Sequence, residues 1–167
     1  MAKKAGFAVD VANRVHKASP SVAVHVGGGI GVSLQPTAEV QQSKSARTSH
    51  KSDVLLTTKR GVPLVSLAVR DGKVSPADTL AIAHHAAQLR LLYPHLSYGL
   101  VIGHASVLPA ELKPTDVTFA IALGASNSDW KPLLSLAKRQ TKICVAALKR
   151  NKRQRTIKRL ETVVKVR

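Results

Sequence analysis

The chain has 167 residues, 44% of them hydrophobic, and carries 26 Lys and Arg against nine Asp and Glu, a formal charge of +17. That length supports one domain with a sizeable core. So large a positive excess repels itself unless a polyanion offsets it, and nucleic acid is the simplest such partner.

Further classes fall away on composition. Cys144 is the single cysteine, which excludes an intrachain disulfide and a thiolate metal cluster within one chain; it reads as a small buried hydrophobe. The aromatic residues are Phe7, Tyr93, Tyr98, Phe119 and Trp130, too scattered for a base-stacking platform, so phosphate contact by Lys and Arg is the natural binding mode. No apolar run approaches the roughly 20 residues of a membrane span, and no signal-type block follows Met1. We therefore expect an intracellular protein, cytoplasmic or nucleoid-associated, with no membrane partner.

In chain order, Phe7, Val11 and Val15 recur every fourth residue with Ala8 and Ala12 beside them, which predicts an amphipathic helix over 4–18, ended by Ser19-Pro20. Strands are expected over 21–26 and 32–34, joined by a glycine turn at 27–31. That turn lacks both the lysine and the following helix of a phosphate loop. Residues 35–51 are polar and read as a surface arm. Two strands, 53–58 and 62–70, flank a tight connection at Lys59-Arg60-Gly61 and predict a hairpin.

Ser75-Pro76 with Asp78 is a helix start, Ser as N-cap and Pro at the first position, and the helix should run to Leu92 before Pro94. The near-continuous apolar runs 98–103 and 117–123 predict strands covered on both faces. Ser128 and Asp129 should cap a final helix whose apolar positions are Leu133, Leu136, Ala137, Cys144, Ala147 and Leu148. A short last strand is expected over 162–166. The fold class is therefore α/β, a mixed central sheet flanked by helices. It divides into a single domain over 1–148, with the arm at 35–51, and a basic C-terminal extension over 149–167.

Asp53 before a strand, a second strand ending Leu67-Ala68-Val69-Arg70, a helix carrying Gln88 and then Gly99-Leu100-Val101-Ile102 together resemble the core of PD-(D/E)XK nucleases, over roughly residues 51–123. The resemblance lies more in the order of elements than in a literal motif. It implies a restriction-endonuclease-like core, DNA as partner ahead of RNA, room for a homodimer, and Mg²⁺ if the chain is catalytic. The chemistry in that family needs two carboxylates holding a divalent metal at the scissile phosphate and a Lys beside them.

Asp53 fits the first carboxylate. In the most natural alignment the next two positions are Ala68 and Arg70, so the second carboxylate is missing. A shifted alignment takes Asp71-Gly72-Lys73 instead, although Asp-Gly is also ordinary turn chemistry. Candidate catalytic residues are thus Asp53, Arg70, Asp71 and Lys73, and candidate metal ligands are Asp53, Asp71 and the upstream Glu39. His84 and His85, adjacent on a helix, point about 100° apart and do not suit one metal.

The end of the chain from Lys138 to Arg167 holds 12 of the 26 basic residues and a single acid, Glu161. We expect Lys138, Arg139, Lys142, Lys149, Arg150, Lys152, Arg153, Arg155, Lys158 and Arg159 to contact phosphates, together with Lys44, Arg47 and Lys51 of the arm. Two functions remain open at this stage. One is a DNA-binding protein with a nuclease-like core, either a metal-dependent endonuclease or a family member whose site has become a binding surface. The other is a non-catalytic basic component of a ribonucleoprotein.

Overall fold

The spacing of Phe7, Val11 and Val15 does generate a first helix, α1 (Ala2–Ala18), and that face is buried, with Val11 and Val15 fully enclosed. The computed structural model describes the backbone over residues 2–31 and 49–164, and side chains over 6–28 and 51–151. Glu39, Lys44 and Arg47 therefore lie outside the described residues. The side chains of Lys152, Arg153, Arg155, Lys158 and Arg159 do so as well.

Beyond α1 come β1 (Ala23–Val26), β2 (Gly29–Gly31), β3 (Ser49–Lys51), β4 (Val54–Thr57), β5 (Pro63–Asp71), α2 (Pro76–Leu92), β6 (Ser97–Gly103), β7 (Phe119–Ala122) and α3 (Trp130–Val164). Five strands form one mixed sheet in the order β1-β4-β5-β6-β7. The β1–β4 and β4–β5 pairs are antiparallel, whereas β5–β6 and β6–β7 are parallel. The parallel pairing follows from α2, which returns the chain to the same end of the sheet before β6 begins.

Strand alternation divides the core into two layers. Leu56, Leu67, Val69 and Val101 face α1 and α3, and Leu55, Ala68, Leu100 and Ile102 face α2. The expected mixed sheet flanked by helices is thus present. Every residue of β6 is buried, as its apolar run required. The run 117–123 is different: β7 occupies four residues and is only partly buried, because it forms the sheet edge.

Local chemistry sets the element ends. Ser75 Oγ accepts the Asp78 N–H at 3.1 Å and donates to Asp78 Oδ2 at 2.7 Å, which starts α2 where the sequence indicated. The β4–β5 hairpin turns at Thr58–Gly61, with the Gly61 N–H donating to Thr58 O at 2.9 Å. Arg90 reaches back from α2 to the carbonyls of Thr115 and Asp116, at 2.8 and 3.1 Å, and so fastens the β6–β7 connection.

Two expectations need correction. The glycine run is not simply a turn, since Gly29–Gly31 forms β2, paired antiparallel with β3 at the end of the expected arm. The strand β1 pairs with β4; the expected strand at 32–34 lies outside the described residues. Backbone groups make ladder bonds whatever the side chain, so a glycine stretch can pair once the tertiary fold offers a partner. The last strand expected over 162–166 is absent as far as Val164, where α3 is still helical. The helix α3 runs unbroken through residues 148 and 149.

Candidate nucleic-acid interface

Asp53 immediately precedes β4 and lies beside β5. Its Oδ2 accepts the Val69 N–H and a bond from Arg70 Nη1, each at 2.8 Å. The same Nη1 donates to Val69 O at 2.8 Å, and Arg70 Nε is buried without a hydrogen-bond partner among the described residues. Ala68, two residues before Arg70 and on the same face, is buried against α2. Tyr98 belongs to this neighbourhood. Burial pushes its phenol up to about 12; the positive charge of Arg70 opposes the rise and the carboxylate of Asp53 adds to it.

These residues carry one carboxylate, already committed to two donors, and a permanently charged guanidinium at ion-pair distance. A divalent cation wants oxygen ligands on all sides, and an adjacent fixed positive charge repels it. Among the described residues no group of three His, Cys, Asp or Glu side chains gathers to hold a metal ion.

Asp71 and Lys73 do not join this cluster. Asp71 ends β5 with the parity of Val69, on the α1 and α3 side, and its Oδ1 is bonded to His104 Nδ1. Gly72 then turns the chain at φ +81°, and its N–H donates to Gly103 O at 2.8 Å. That conformation is the turn chemistry of Asp-Gly. Lys73 is exposed in the wall of a cavity of about 520 Å³ that also includes His104.

The His104 N–H donates to Asn127 Oδ1. His104 and Asn127, at φ 49° and 52°, are the non-glycine residues in the left-handed region among those described. Asp71 ends β5, and His104 and Asn127 follow the carboxyl ends of β6 and β7, a grouping that no sequence motif marks. His84 is exposed beside Gln88, and the His85 ring lies 5.7 Å from that of Tyr98, so the two histidines diverge as expected.

A row of exposed basic residues lies on α3. Leu133, Ala137 and Cys144 are buried, which fixes the helix rotation. Successive residues turn by about 100°, so Lys131, Lys138, Lys142 and Lys149 fall within about 40° of one another along roughly 27 Å of helix. All four are exposed, as are Arg139 and Arg150 on the adjoining strip. The helix contains no acid from Trp130 to Asn151, and none of these six cations forms an ion pair among the described residues. Lys51, the described member of the arm set, is exposed at the end of β3. Sequence reasoning missed Lys131, whose signal was its position seven residues before Lys138.

Comparison of the chain with protein-family models, curated proteins and solved structures yields no match. No helix among the described residues is long and apolar enough to cross a membrane.

Proposed function

We propose that this protein binds nucleic acid through the basic face of α3, with DNA the expected partner, and that its nuclease-like core serves as a scaffold. The observation that carries the reading is the unpaired row Lys131, Lys138, Lys142 and Lys149 on a helix held rigidly by its buried side. Fixed, uncompensated cations at helical spacing lower the free energy of a phosphate chain laid along them, chiefly by releasing its counterions. The order of hairpin, crossover helix and parallel strand supports the likeness to the PD-(D/E)XK core, and with it DNA over RNA. The bond between Asp53 and Arg70 supports a site that has become structural.

The test is titration of a labelled duplex in EDTA over a range of salt. Log affinity should fall with log salt with a slope of about −5 if six or so phosphates are neutralised. Charge reversal at Lys138, Lys142 and Lys149 should lower affinity at least 100-fold and flatten the slope. A flat response in the unmodified protein would refute the reading.

A second reading, a Mg²⁺-dependent endonuclease, is favoured by the position of Asp53 at the head of the β4–β5 hairpin. Plasmid nicking with Mg²⁺ or Mn²⁺, abolished by Asp53→Asn, would establish it and displace the scaffold view. Light scattering of the complex reads whether one or two chains bind.

A further inference from the structure

Where α3 passes the tip of the β4–β5 hairpin, a cavity of about 470 Å³ opens between them. Its size falls within the roughly 300–1,000 Å³ of small-ligand sites. Lys142 and Lys149 enter from α3 and Lys59 from the hairpin turn, while Val22, Leu64 and Val145 supply apolar wall. Among the described residues the lining contains no Asp or Glu, and none of the three lysines is ion-paired.

Three ammonium groups around one recess repel each other, and apolar walls alone do nothing to offset that. The occupant that satisfies both features has an apolar body and an anionic edge. We infer that this recess receives a single unpaired nucleotide of the bound nucleic acid, its base against Val22 and Val145 and its flanking phosphates on Lys59, Lys142 and Lys149. The inference rests on the proposal that α3 binds nucleic acid, because Lys142 and Lys149 belong to that same row. It adds a requirement that the row lacks: a stacked, paired base cannot enter a recess, so the nucleotide must already be unpaired or be turned out of the helix.

The consequence is a preference for irregular over intact duplex. Removing roughly 60 Å² of base surface from water is worth about tenfold in affinity at the usual free energy per area. The experiment compares anisotropy titrations of the full chain with two labelled duplexes, one intact and one carrying a single-nucleotide bulge.

The bulged duplex should bind about tenfold tighter. Ala146→Trp, at an exposed position in the lining, fills the recess while keeping all three lysines. It should abolish the preference, the bulged and intact duplexes then binding this variant equally. Lys59→Ala, on an exposed turn where loss of fold is not expected, should weaken the bulged duplex more than the intact one.

Equal affinity of the unmodified protein for both duplexes, or a preference that survives Ala146→Trp, would overturn the inference while leaving binding along α3 standing. Failure of the unmodified protein to bind either duplex removes both readings. Displacement of the bulged duplex by a glutamate-rich peptide at comparable concentration would assign the recess to an acidic protein and overturn the nucleotide.

Discussion

Gly103 has no room for a side chain. A Cβ there would lie 2.5–2.9 Å from three carbons of the Phe7 ring, and Phe7 is itself buried against Trp130, with ring centroids 6.2 Å apart. Gly103→Ala must therefore displace the packed Phe7 ring or the backbone on either side of it, at a cost of about 1–3 kcal/mol. At about 2–4 °C per kcal/mol for a chain of this size, thermal denaturation should show a fall of several degrees.

Tyr98 offers a second check at the same scale. Its phenol is raised to about 12 in the fold, against about 10 in an unfolded chain. The unfolded state thus loses the proton first as pH rises. Stability is fully present below pH 10 and declines between about 10 and 12. Denaturant midpoints measured across that window should fall, and Tyr98→Phe should remove this part of the fall.

At the scale of elements, α2 and α3 show which local signals are sufficient. The Ser75 cap satisfies the Asp78 N–H, so Ser75→Ala should destabilise by about 1 kcal/mol, read from the urea midpoint. Residues 133–164 contain neither Gly nor Pro, and Lys, Arg, Gln and Leu are good helix formers. Once α3 is anchored by Leu133, Ala137 and Cys144, each added residue gains a hydrogen bond, and propagation overrides the strand preference of Thr162, Val163 and Val164. The pairing of β2 with β3 was not legible for the opposite reason: glycine carries no side-chain pattern from which a partner could be read.

The molecule as a whole separates its core from its charge. Among the described residues the last buried side chain is Cys144, whereas the densest basic run begins at Lys149. A chain ending at Asn151 should keep its circular-dichroism signature of a folded α/β protein and unfold within a few degrees of the full chain. Its nucleic-acid affinity should fall. Loss of the cooperative transition would show instead that the segment after Asn151 supports the core.

The sequence by itself determined the helices, the β4–β5 hairpin, the buried β6 and the excess of positive charge, because each rests on periodicity, capping or composition, which are local properties. Only the tertiary structure decided what each charged group meets. Asp53 accepts from Arg70, Asp71 takes His104 across two strands, and Lys59 comes opposite Lys142 and Lys149. The residues so brought together lie 17, 33 and more than 80 positions apart, and no local pattern encodes their meetings. They follow from the order in which the strands pair and from the face on which each helix settles, and those are set by burial over the whole chain.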